Sequence, residues 1–189
     1  SCSEWTGVRL SDVIKSSGIK PSSIYTGHYG ADLHLSGDTN KNALSRGVPI
    51  KKALDENNII AFAMNNEEIP LIHGSPLRLI CPGWPGSTSQ KWLNKIELLD
   101  QVHDGAKMTG KSYKVPKIPV KPGEKVDISG LEIIESMPIK SLITFPKTGL
   151  QHNSNNLNIR GHAWAGDKQV KEVRISIDYG ATWIQANLS

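Results

Sequence analysis

The sequence predicts a mixed α+β fold over its first part and an all-β segment after it, and three observations carry that prediction. Up to about Leu99, apolar residues at helical spacing alternate with short strand-like runs. Between Lys107 and Gly130 the pattern stops, and Pro116, Pro119, Pro122 and Gly123 alternate with lysines in a stretch too proline-rich for a helix. Beyond it, apolar and polar residues alternate with a period of two, broken by turn residues.

Taken in order, Leu10, Val13 and Ile14 share one face of a helix read from Thr6, with Gly18 as its stop and Pro21 beyond. No strand is expected ahead of it. Ser23 to Tyr29 reads as a strand that runs into a polar loop through His28, Asp32 and His34, and a loop at a strand end is a frequent place for a site. His28 and His34 are themselves read as loop residues. Pro49 opens a second helix whose apolar face is Ile50, Ala53 and Leu54. Asn58 to Met64 is apolar enough for a buried strand, and Asn65-Asn66 is a turn pair. Glu68 to Ile72, Pro76 to Cys81 and Trp92 to Leu99 are expected as further strands, with the loop Pro82 to Lys91 before the last.

The all-β segment offers Ile139 to Phe145, Leu157 to Trp164, Val170 to Ile177 and Thr182 to Leu188. These runs account for only about half of the roughly seven strands of an immunoglobulin-like sandwich. The chain therefore reads as an internal stretch of a longer polypeptide. The division read from composition is 1–115 for the α+β part, 116–136 for the linker and 137–189 for the start of the β domain.

With 189 residues, 38% hydrophobic and 21% charged, the chain has the composition of an ordered globular protein with room for one core and part of another. Its longest apolar runs, such as Ile59 to Met64 and Leu77 to Cys81, fall far short of the ~20 residues that span a bilayer. Ser1 to Leu10 has neither the basic lead nor the apolar core of an export signal, so any such signal is expected upstream. The net charge of +4 is spread among acids rather than gathered into a basic stripe, which argues against nucleic acid and leaves a small anionic ligand open. Cys2 and Cys81 match neither a disulfide framework nor a zinc site, and Cys81, inside an apolar run, is expected to be a buried small hydrophobe.

The chemistry gathers in His73-Gly-Ser-Pro-Leu-Arg78 and the loop that follows, Pro82-Gly-Trp-Pro-Gly86 with Ser87-Thr-Ser-Gln-Lys91. A histidine and an arginine across a Gly-Ser-Pro bend, then a glycine-bearing loop with hydroxyls and a lysine, supply several anion-binding donors. A phosphate or the edge of a pyranopterin suits that set. The same letters also fit an Arg78 that caps a strand, a His73 in a surface turn and a solvated Lys91.

Ala61-Phe-Ala-Met-Asn65, Pro70-Leu-Ile-His-Gly-Ser-Pro-Leu-Arg78, Pro82-Gly-Trp84 and Lys91-Trp-Leu93 together resemble, in order and spacing, the sulfite oxidase and sulfite dehydrogenase family of molybdopterin-dependent oxidoreductases. Glu4-Trp-Thr-Gly7 resembles that family's Trp-x-Gly helix, and Ser45-Arg-Gly-Val-Pro-Ile50 its proline-led helix start. Tyr25 to Asp38 is more similar to bacterial members, while Gly161-His-Ala-Trp-Ala-Gly166 and Asp178-Tyr-Gly-Ala-Thr-Trp183 resemble markers of its dimerisation domain. Asn66 stands where the family has the glycine of Met-Asn-Gly, and Ser112 where it usually has aspartate.

The resemblance implies a partial molybdopterin-binding fold followed by a partial immunoglobulin-like dimerisation domain, with the molybdenum-molybdopterin cofactor. It implies cofactor contacts at His73, Arg78, Ser89, Gln90 and Lys91, with Asp32 from the earlier loop, and an active-site tyrosine at Tyr113. The molybdenum-ligating cysteine is expected upstream, since Cys2 lies too close to Trp5 to be it, and no metal ligand is assigned within the chain. A further active-site arginine is expected beyond the β segment, so this stretch alone is expected to be inactive. The implied activity is oxidation of sulfite to sulfate in the periplasm by a homodimer that passes electrons to a c-type cytochrome. A related molybdoenzyme such as a sulfane dehydrogenase, nitrate reductase or methionine sulfoxide reductase, or an inactive dimerisation module, are the alternatives.

Overall fold

The structure, a computed structural model, describes residues 3–108, 111–154 and 156–188, and Cys2 lies outside them. The chain divides into two compact units, Ser1–Glu135 and Ser136–Ser189. In the first, β1 (Trp5–Arg9) leads directly into α1 (Leu10–Ser17), followed by β2 (Tyr25–Gly30), β3 (Ser45–Arg46) and α2 (Ile50–Ala53). Then come β4 (Ile59–Met64), β5 (Glu67–Glu68), β6 (Arg78–Ile80), β7 (Leu93–Leu99), β8 (Lys114–Pro116) and β9 (Leu131–Ile133).

Two antiparallel sheets organise this unit: β4 holds β1, β5 and β6, and β2 lies between β3 and β7. Leu10 and Ile14, one helical turn apart, turn α1 inward onto Val48, Ala53, Leu79, Cys81, Trp84 and Leu93. Burial of each large side chain there contributes roughly 1.5–3 kcal/mol. Gly18, at φ 82°, ends α1. Asn65 and Asn66, at φ 54° and 63°, make the expected tight turn between β4 and β5. Cys81 is buried in the core, as expected.

Several expectations need correction. Trp5 to Arg9 is a strand, where only a helix read from Thr6 was expected; Trp5, Thr6 and Val8 favour extended backbone, and β4 offers a partner along its whole length. Glu68 to Ile72 is a strand only at its first residue, because Pro70 has no N–H for the ladder and Leu71–His73 forms a 3-10 turn instead. Asn58 to Met64 is not uniformly buried: Ala61 is fully covered while Phe62 is 51% exposed, since this β4 run presents its alternate residues to two different environments. His28 is not a loop residue; it lies within β2 and is fully buried.

The proline- and lysine-rich segment folds back so that β8 pairs with β9. In the second unit β10 (Lys140–Phe145) pairs with β11 (Arg160–Trp164), and β12 (Arg174–Ile175) with β13 (Ile184–Gln185). The bend after β12 is tied by Asp178, whose carboxylate accepts hydrogen bonds from Thr182 Oγ1 at 2.6 Å, Thr182 N at 2.8 Å and Ser176 Oγ at 2.8 Å. Those donors, Thr182 first, pull its pKa down to about 2. Among the described residues, no helix is long and apolar enough to cross a membrane.

Candidate cofactor site

β6 and the segment after the Pro82 to Lys91 loop lie side by side: Leu79 N donates to Gln90 O at 2.9 Å and Leu93 N to Leu77 O at 2.8 Å. Cys81 N donates to Ser89 Oγ at 3.0 Å, which fixes the serine at the loop's return. Three donors then pin the 3-10 turn at Leu71–His73 from below. Trp92 Nε1 reaches Leu71 O at 2.9 Å, Lys91 Nζ reaches Ile72 O at 2.9 Å, and Arg78 Nη1 reaches His73 O at 3.0 Å. Gly74, at φ 108°, is required where the turn passes Lys91, because a Cβ there would lie 2.8 Å from the lysine Cβ.

The end of β2 brings in the earlier loop, with Ala31 N donating to Trp92 O at 2.9 Å. A cavity of about 110 Å³ results, lined by Asp32, Arg78, Ser89, Gln90, Lys91 and Trp92 among others. Five of the seven residues expected from the sequence therefore meet in one place. His73 does not line it: its side chain is exposed, and its backbone carbonyl is what holds Arg78. Tyr113 does not line it either; it is 38% exposed, at φ 54°, and stacks with Arg46.

The polar inventory of the cavity has two characters. Arg78 and Lys91 supply positive charge; burial lowers the Arg78 pKa from its usual value, yet a guanidinium keeps its charge at neutral pH. Asp32 Oδ1 and Gln90 Oε1 are buried acceptors without a hydrogen-bond partner, and Arg78 Nε is a buried donor in the same condition. Buried polar atoms are normally paired, so such a set marks a place built for a ligand. The donors suit a phosphate, and the acceptors suit an N–H-bearing ring edge. Molybdopterin carries both groups, and the residues present fit it. The larger hollow, about 320 Å³ and lined by Ile14, Ile60, Leu77, Leu93, Ile96 and Leu98 among others, is mainly apolar and offers no such chemistry.

Sequence reasoning missed a second buried polar cluster. Arg46 is fully buried, as is His28, and His103 is 3% exposed. Ser45 Oγ donates to His28 O at 2.8 Å, so it must accept the 2.7 Å bond from His103 Nε2, which carries the proton. Burial, and then the neighbouring His103, push the His28 pKa down to about 3. No local signal marks these residues, because pairing of β2 with β3 and β7 is what encloses them.

Residues 1–107 match the oxidoreductase molybdopterin binding domain family, and residues 131–189 the Mo-co oxidoreductase dimerisation domain. Mitochondrial sulfite oxidase of Drosophila melanogaster is 32% identical over 98% of this chain and 33% of its own length. The Homo sapiens enzyme is 30% identical over 100% of the chain and 34% of its length. The crystal structure of the sulfane dehydrogenase SoxCD from Paracoccus pantotrophus superposes with a TM-score of 0.76 and 28% identity, covering 99% of this chain and 44% of that one. The chain thus spans about a third of the length of these curated relatives. On the family match and the donor set of the cavity, it belongs to the oxidoreductase molybdopterin-binding domain family, and its cofactor is molybdenum-molybdopterin.

Proposed function

We propose that this chain is part of a molybdenum-dependent sulfite dehydrogenase. The observation that carries the reading is the cavity in which Arg78, Ser89 and Lys91 face Asp32 and Gln90. In it, Arg78 and Lys91 hold the phosphate of the cofactor, Ser89 closes over it, and Asp32 and Gln90 take the N–H groups of the ring. His73 contributes through its carbonyl, by fixing Arg78. When bound, the cofactor supplies an oxo group and a two-electron sink. In the net reaction sulfite gains one oxygen from water and gives up two electrons, while that water releases its two protons. Tyr113 faces the substrate and orients the oxyanion by its phenol.

The second unit is read as the start of an immunoglobulin-like domain through which two copies associate, with domain limits at 1–115, 116–136 and 137–189. A c-type cytochrome in the periplasm takes the electrons one at a time. Oxidation of sulfane sulfur is the second reading, favoured by the likeness to the sulfane dehydrogenase structure.

The test is to express the complete polypeptide and measure molybdenum per chain together with reduction of an artificial acceptor driven by sulfite or by a sulfane-sulfur donor. Stoichiometric metal with sulfite turnover supports the reading, and turnover with the sulfane donor alone moves the substrate to the second. Folded protein that retains no molybdenum would overturn both.

A further inference from the structure

Arg46 is a fully buried cation whose charge is met by neutral groups. Its Nη1 donates to Lys107 O at 3.4 Å and its Nη2 to Ile134 O at 3.1 Å. Its guanidinium carbon lies 5.1 Å from the centre of the Tyr113 ring. Ile134 N in turn donates to Tyr113 O at 3.0 Å. The contacts close on themselves: guanidinium to Ile134 carbonyl, Ile134 amide to Tyr113 carbonyl, Tyr113 ring back to guanidinium. Tyr113 also holds φ 54°, a left-handed conformation that a tyrosine adopts only where its surroundings enforce it.

We propose that Arg46 is the positioning residue for Tyr113, a buried fork that ties β3 to both sides of the tyrosine segment and so fixes the direction of its phenol. The proposal rests on the reading in which Tyr113 faces the substrate. Two further features support it. The planar fork reaches two carbonyls and one ring face at once, which the single ammonium of a lysine cannot do. Nε remains a buried donor without a partner, so the arginine is not there to satisfy its own hydrogen bonds. Arg46 acts through Tyr113, and it is assigned no contact with substrate.

The experiment is a double-mutant cycle in the complete, molybdenum-loaded polypeptide, with Arg46→Met, Tyr113→Phe and the pair together, and kcat and KM expressed per bound molybdenum. Misplacement of an orienting group costs about a hundredfold in rate, so Arg46→Met is expected to lower kcat by roughly that factor. In the Tyr113→Phe background the same change is expected to cost no more than about twofold, since the residue it acts through has lost its hydroxyl. Arg46→Lys keeps the buried charge, is expected to recover little of the loss, and is the variant to read if Arg46→Met does not fold.

A second readout needs no turnover. In the 13C-tyrosine-labelled protein, the Tyr113 ring resonance, assigned from Tyr113→Phe, is expected to shift on changing Arg46. Multiplicative losses in the cycle, or an unmoved Tyr113 resonance, would overturn the proposal. Full turnover by Tyr113→Phe would instead overturn the site reading beneath it, and a resonance that still moves would show which of the two had failed.

Discussion

Gly30 is the last residue of β2, and the cavity is built against it. A Cβ placed there lies 2.5 Å from Asp32 Oδ1, 2.6 Å from Gln90 Nε2 and 2.7 Å from Lys91 O. Two of the three cannot retreat cheaply, while the half-buried Asp32 side chain can turn away. Gln90 is 3% exposed and its Nε2 already donates to Lys91 O at 3.2 Å, and that oxygen belongs to the backbone. Gly30→Ala is therefore an overpacking change, expected to cost about 1–3 kcal/mol in stability. It also displaces both unpaired acceptors, and loss of supporting groups of this kind typically weakens metal-site affinity by about tenfold or more. The measurements are the urea midpoint of the full polypeptide and its molybdenum content. Gly86→Ala is the stability control, because Gly86 lines the same cavity yet a Cβ there meets nothing within 4 Å. A Gly30→Ala protein with the midpoint and metal content of the parent would refute the placement of Asp32 and Gln90 around one cofactor edge.

Three further outcomes are expected. Arg78→Met removes the cavity's half-buried cation and the pin on His73 O, so folded protein, checked by circular dichroism, is expected to retain at least about tenfold less molybdenum, with Arg78→Lys intermediate. His28 is held near pKa 3 in the folded chain and titrates near 6.5 when unfolded, so the unfolded chain binds the extra proton between those values. Its contribution is complete above pH 6.5 and is lost as pH falls toward 3; at pH 5 the loss is about 2 kcal/mol, and His28→Gln is expected to flatten the urea midpoint between pH 8 and 5. An unchanged slope would show that His28 protonates without penalty. In the second unit, Asp178→Ala is expected to speed hydrogen exchange at the Thr182 amide and lower the melting temperature, with Asp178→Asn milder because one oxygen remains to accept.

The strongest local signals were legible. Leu10 and Ile14 at helical spacing, Gly18 as a stop and Asn65-Asn66 as a turn depend on neighbours a few residues away, and each stands as read. The cavity's donor cluster was legible because the donors from Arg78 to Lys91 lie close together along the chain, and a cavity needs only one fold-back to join them; a cofactor role for them came from the family resemblance. Asp32 needed the family resemblance as well. Where the determinant was a partner far along the chain, the sequence was silent. Trp5 to Arg9 becomes a strand only because β4 lies beside it, and His28 is buried only because β3 and β7 flank it. Arg46 gave no sign either, since its acceptors are 61 and 88 residues away.

How the cations are held separates two kinds in the first unit. Lys41, Lys52 and Lys95 pair with carboxylates of Asp38, Asp55 and Glu97 at 3.2, 3.0 and 2.7 Å, so each charge is largely cancelled where it sits. Arg78, Lys91 and Arg46 are held differently. Arg78 donates to His73 O and lies 5.0 Å from the Trp5 ring, Lys91 donates to Ile72 O and lies 4.4 Å from the Trp92 ring, and Arg46 has two carbonyls and Tyr113. Carbonyl oxygens and aromatic faces fix a cation's position while leaving its full formal charge. A carboxylate would bind each more strongly and would also compete with any incoming anion. Neutral anchoring thus keeps positive charge oriented and available at the two cations that line the cavity, while Arg46 and Lys117, whose Nζ donates to Ser129 O at 2.8 Å, are anchored in the same way away from it.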